Sequence, residues 1–239
     1  MSASPGALRQ ASDPSAPVRV LMVTATAGFH HSSIATAQEV VPRLGQESGA
    51  FTVTLLPDVP DLVGLTAEVL AQTDVVFFAN SSGELPLDDT QRRALLEFVF
   101  NGGGFAGAHS AADTLYEWPE YGQLVGAYFQ DHPWTREVRV TLEDAAHPVT
   151  QGLDTSEEWL EEVYVFRNNP RPHVHVLFSL DATSVGANPA TEDHPLAWCA
   201  GYGTGRTFYT ALGHFESMWQ DARFQRLLLN GFRWAAGRT

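Results

Sequence analysis

Hydrophobic positions begin to organise at Val18. Residues 18–26 (VRVLMVTAT) form a nearly unbroken apolar run, as a strand buried on both faces requires. Gly28 breaks the run, and a serine at 32 or 33 stands where it can cap a helix reaching about Glu47. Residues 51–56 alternate as a second strand, 66–72 suit a short helix, and 74–80 (DVVFFAN) read as another doubly buried strand. Residues 88–101 predict a helix opened by acids, which favour the positive end of the helix dipole. Gly102–Gly104 ends it, and 105–109 is a fourth strand. This alternation predicts parallel βαβ units and an α/β sheet.

The second half is less regular. Residues 134–142, 162–166 and 173–180 read as strands, and 196–202 with 206–212 as a hairpin around Gly203 and Gly205. Residues 221–236 form a closing helix with an apolar stripe at Phe224, Leu227, Leu228 and Phe232. Residues 1–17 are rich in Ser, Ala and Pro and lack the apolar segment of a secretory signal. They read as a disordered leader before a single domain over 18–239, and the expected location is cytoplasmic.

Composition narrows the chemistry. Twenty-eight acids against fourteen bases give a formal charge of −14, which disfavours sequence-independent nucleic-acid binding. No apolar run reaches the roughly 20 residues of a membrane-spanning helix. All fourteen bases are arginine, so a Schiff-base lysine and a phosphate-loop lysine are excluded. The single cysteine, Cys199, excludes an intrachain disulfide and a multi-thiolate zinc site.

In open parallel sheets, ligands bind beyond the carboxyl ends of the strands. Gly28-Phe29-His30-His31 follows the first strand, Asn80-Ser81-Ser82 the third, His109-Ser110 and Asp113 the fourth, and Gly213-His214 the hairpin. Three of these four remote strand ends deliver a histidine. The segment 102–112 (GGGFAGAHSAA) has the form of a strand–elbow–helix turn, whose strained tip needs small neighbours. Two frames fit: His109 at the tip, suited to proton transfer, or Ser110, a possible nucleophile.

The motifs GFHHSSI, GGGFAGAHSAADT with EWPEYGQLVGAYFQDHP, EEVYVFRNNPR, and EDHPLAWCAGYGTGRTFYTALGH together resemble the ThuA-like (trehalose-utilisation) family over residues 18–237. The resemblance implies a flavodoxin-like three-layer α/β sandwich of the class I glutamine amidotransferase-like kind, with a mostly parallel central sheet. In true amidotransferases the elbow tip is cysteine. Here His109 replaces it, Cys199 lies within a strand, and glutamine hydrolysis through a thioester is not available. His214-Phe215-Glu216 resembles the amidotransferase His-x-Glu element, and Glu162 and Tyr164 match the family's Asp-Glu-x-Tyr region.

The resulting expectation is an enzyme of carbohydrate metabolism acting on a sugar or keto-sugar, with His109, His214 and Glu162 as its acid/base residues. His31, Asp113 and Tyr164 are expected to hold substrate hydroxyls. Asp131 with His132, and Asp193 with His194, are candidate contacts at the rim. Trp118 is a candidate face for a sugar ring, with Trp134 and Trp219 nearby. No cofactor is required by this reading. Its alternatives are a metal-dependent hydrolase with a divalent cation on His31, His109, His132 and His214, and a non-catalytic sugar-binding or regulatory module. A serine hydrolase acting through Ser110 is a more distant one. The expected partner is a small carbohydrate, with neither nucleic acid nor membrane, and a homo-oligomer is compatible with exposed strands such as 173–180.

Overall fold

Parallel strands need crossover connections, and the first half of the chain supplies them as helices. The computed structural model describes residues 15–156 and 158–238. The expected leader lies outside the described residues as far as position 14. The elements run β1 (Val18–Val23), α1 (Ile34–Ser48), β2 (Phe51–Leu56), α2 (Ala67–Ala71), β3 (Val75–Ala79), α3 (Asp89–Phe100) and β4 (Gly104–Ala108). Then follow α4 (Pro119–Val125), β5 (Phe129–Val138), β6 (Val140–Leu142), β7 (Trp159–Phe166), β8 (His175–Leu180), β9 (Pro195–Tyr202), β10 (Gly205–Thr210), α5 (Glu216–Gln220) and α6 (Ala222–Ala235).

The central sheet has eight strands in the order β2-β1-β3-β4-β10-β9-β8-β6. The strands from β2 to β10 run parallel, and β9, β8 and β6 continue the sheet by antiparallel pairing. Steps β1-α1-β2 and β3-α3-β4 go in opposite directions, so right-handed crossovers place α1 and α3 on opposite faces. The pleat shows both faces buried. Phe77 meets Phe232 of α6 and Trp219 of α5, while its neighbour Phe78 meets Phe105 and Tyr121 of α4. The reversal of direction between β1 and β3 opens a crevice at their carboxyl ends, where such sheets bind ligands.

Helix starts follow the sequence. Asp88 and Gln91 form a capping box at α3, Thr66 caps α2, and Asp221 caps α6. Ser33 precedes α1 but makes no cap; its hydroxyl is diverted to Asn80 and the Gly213 carbonyl. Two helices escape the hydrophobic pattern, α4 and α5, because pieces of seven and five residues are too short to show a stripe.

The stretch 134–142, expected as one strand, belongs to two sheets. Up to Val138 it is β5, which pairs with β7 in a separate two-stranded ribbon, and from Val140 it is the edge strand β6. Arg139 stands at the crossing, paired with Glu158 and Asp181. Pro133 is tolerated in β5 because the ribbon leaves that strand an unpaired edge. Among the described residues, no helix is long and apolar enough to cross a membrane.

Candidate functional site

Four separate segments bring side chains to one point. His31 comes from the loop after β1, His109 from the end of β4, His214 from the loop after β10, and Glu162 from the ribbon strand β7. Each offers one potential ligand atom, and these atoms all lie within 4.8 Å of one another. His109 Nε2 is 3.2 Å from His214 Nδ1, which is 3.2 Å from Glu162 Oε2. Glu162 Oε2 is 3.5 Å from His109 Nε2.

His109 is at the elbow tip, in the left-handed region at φ 48°, so the structure chooses the histidine frame over the serine one. The strained turn is held by Tyr209, whose hydroxyl donates to the His109 carbonyl at 2.8 Å. The ring is fully buried, and its Nδ1 lies 2.9 Å from the Ala211 carbonyl. A carbonyl only accepts, so Nδ1 carries a proton, and Nε2 is the ring nitrogen turned into the cluster. Ser110 is also buried, with Oγ 3.3 Å from His31 Nδ1, where it supports an imidazole rather than attacking a substrate.

The loop after β10 is fixed from two directions. The Gly213 carbonyl accepts from Asn80 Nδ2 at 2.9 Å, Trp219 Nε1 at 2.8 Å and Ser33 Oγ at 3.3 Å. Beneath it, the buried Glu161 carboxylate accepts from the amides of Gly213 and His214, at 2.7 and 3.0 Å. Gly213 has φ 129°, a conformation reserved for glycine. Glu161, a conservative change at the Asp of the family's Asp-Glu-x-Tyr region, received no role from the sequence; here it positions the loop that carries His214.

Electrostatics follow from this crowding. Burial, reinforced by His109 and His214, depresses the His31 pKa to about 3, so that ring is neutral. Burial opposes ionisation of Glu162, but hydrogen bonds with His109 and His214 hold its carboxyl well below the usual range. His214 is raised despite its burial, through its hydrogen bond with Glu162. Glu161 is raised by burial, with His109 and its amide donors opposing.

The remaining expected residues divide. Tyr164 lies against His109, with ring centroids 4.1 Å apart, and forms a wall. Asp113 accepts from the Tyr116 hydroxyl at 2.6 Å, and burial raises its pKa against that bond. His132 is at the mouth, with Nδ1 3.4 Å from Glu162 Oε1, and Asp131 accepts from the His132 amide. His132 thus faces the outer oxygen of Glu162 and is not one of the four clustered groups.

Asp193 and His194 are not brought to the cluster; they pair with Arg171 and Glu192. Trp118 is buried, stacked on Tyr121 with Arg92 over its ring, and offers no open face to a sugar. The exposed aromatic is instead Phe29, 65% accessible and edge-on to His31. Trp219 is buried beneath the site. Glu216, in the His-x-Glu element, opens α5 at the surface, and the acid that meets His214 is Glu162. Gly102, Gly104 and Gly107 carry the spacing of a dinucleotide fingerprint. They sit before and inside β4 rather than after a strand, so they form no phosphate cradle.

Comparison with known proteins agrees with this architecture. A ThuA-like protein of Bacteroides uniformis superposes with a TM-score of 0.73 at 24% identity, covering 92% of each chain. One from Parabacteroides merdae gives 0.72 at 24% identity, over 92% of this chain and 90% of that one. A cytoplasmic protein of Salmonella typhimurium gives 0.63 at 12% identity, over 91% and 99%. At these identities the likeness concerns the fold alone. No functionally curated protein matches the chain. The ThuA family model, described as trehalose utilisation, matches residues 19–235, and the chain belongs to that family.

Proposed function

We propose that the chain is an enzyme of carbohydrate metabolism acting on a sugar or keto-sugar of the trehalose or sucrose type. The observation that carries this reading is the meeting of three imidazoles and a carboxylate, from four remote segments, at the carboxyl edge of the sheet. The family's description supplies the substrate class.

Burial assigns the roles. His109 is sealed from solvent and cannot exchange a proton directly with a ligand. It and His31 back His214, the partly exposed imidazole paired with Glu162, and this floor holds an oxygen of the substrate through His214 as it gains negative charge. His132 has a side chain 48% exposed and is oriented through Nδ1 by Glu162, leaving Nε2 for the substrate. A carbonyl on the sugar acidifies the neighbouring C–H. His132 takes that proton, the C–H electron pair moves into the enolate, and the enolate oxygen rests on the floor. Phe29 provides an apolar face for the ring.

The test is solvent exchange. In deuterated water, a keto-disaccharide should exchange the hydrogen beside its carbonyl only when enzyme is present. His132→Asn should slow exchange and turnover at least about 100-fold without unfolding the chain. Exchange and turnover unchanged in His132→Asn and in Glu162→Gln would remove this reading.

A further inference from the structure

The geometry points to a binding site for one divalent first-row transition-metal ion, held by His31, His109, His214 and Glu162. The inference concerns the floor of the proposed sugar cleft, but it stands on donor spacing and not on the identity of the sugar.

The distances are those of a coordination shell. With metal–ligand bonds of about 2.0–2.1 Å, a tetrahedron has edges of about 3.3–3.4 Å. The triangle of His109 Nε2, His214 Nδ1 and Glu162 Oε2 has sides of 3.2, 3.2 and 3.5 Å. The His31 donor completes the set within 4.8 Å. With Nδ1 committed to the Ala211 carbonyl, Nε2 is the His109 nitrogen that faces the Glu162 oxygen, and a cation that displaces a proton between them meets a lone pair from each. A cation at the centre satisfies them together.

The supports outside the cluster are those that metal ligands need. His109 Nδ1 is tied to the Ala211 carbonyl, His31 Nδ1 to Ser110 Oγ, and the His214 backbone to Glu161. The donor set selects the ion. Imidazoles with one carboxylate and no thiolate suit zinc, cobalt, iron(II) or manganese rather than copper(I), and magnesium and calcium prefer oxygen throughout. His214 and Glu162 are the partly exposed members, so a water or substrate oxygen enters on their side. With the ion seated, it supplies positive charge to the floor, and the proton remains with His132.

The experiment uses the full chain, stripped with chelator and titrated separately with Zn²⁺ and Co²⁺. The expected result is about one equivalent of Zn²⁺ per chain by elemental analysis. Bound Co²⁺ should show the visible bands of a four- or five-coordinate ion. Glu162→Gln and His214→Ala should each weaken Zn²⁺ binding at least about tenfold. His175→Ala, an exposed imidazole paired with Asp144, should leave binding unchanged. Less than about one-tenth equivalent with no cobalt bands overturns the proposal. So do bands that survive both ligand variants, or that vanish in His175→Ala. Binding without turnover of any sugar removes the proposed function and keeps the metal; turnover with no Zn²⁺ or Co²⁺ bound on titration removes the metal and keeps the function.

Discussion

The two ends of the parallel sheet treat buried charge in opposite ways. At the amino edge Asp74 is buried and meets Arg19 through Nε at 3.1 Å and Nη2 at 3.0 Å, and Arg238 Nη2 at 3.1 Å. At the carboxyl edge Glu162 meets imidazoles alone, and Glu161 meets backbone amides, among the described residues. The first arrangement matches a carboxylate with guanidiniums whose charge does not vary with pH. The second sets it among imidazoles, whose ring nitrogens can carry a proton or take a ligand. Folding alone favours the first pattern, and working sites are where proteins keep the second.

Substitutions should separate the two edges. The largest expected effect is on chemistry: Glu162→Gln removes the charge that orients His132 and should lower turnover by about 1,000-fold. Its thermal midpoint should stay close to that of the parent chain. A matching loss of midpoint would show that the carboxyl edge is structural too.

Acid should weaken the carboxyl edge next. The unfolded chain takes up a proton on His31 near pH 6.5, whereas the folded chain resists it down to about 3. Unfolded protein therefore binds more protons in that window. Stability in chelator should fall as pH drops from about 6.5 to about 3, by roughly 3–5 kcal/mol in all. Urea titrations of His31→Asn across these pH values should show a shallower slope.

At the amino edge, Asp74→Ala should cost about 2–3 kcal/mol, because it deserts two cations at a buried position. Exchange and turnover per folded molecule should not change. The smallest effect is expected at Arg171, whose hydrogen bonds hold Glu143 and Asp193 below their usual carboxylate range. These groups are largely solvated, so Arg171→Ala should lower stability by less than about 1 kcal/mol. KM for a sugar that is turned over should be unaltered. A several-fold rise would return Asp193 and His194 to the cleft.

The parts of this contrast differ in how visible they are in the sequence. His31, His109 and His214 stand at the ends of apolar runs, where a parallel sheet presents its loops, so their convergence follows from strand order. Glu162 needed the family motif, since the strand carrying it belongs to a ribbon outside the sheet and apolar alternation does not say which sheet a strand joins. The role of Glu161 was not legible, although the family motif marks the position, because a carboxylate that binds backbone amides has no partner residue type to search for. Trp118 misled because an aromatic in a loop reads alike whether its face is open or covered. The pairing of Asp193 with Arg171 spans 22 residues and depends on loop geometry that no local pattern encodes.

The carbonyl of Gly213 has a consequence for how ligands are received. Its donors come from the start of α1, the end of β3 and helix α5, three places remote in the chain. Segments knotted to a single oxygen cannot drift independently, so the receptacle should be stiff before anything enters it. Calorimetry on such a receptacle should show little entropic penalty from ordering the protein, and mimics of the right shape should be preferred over flexible ones.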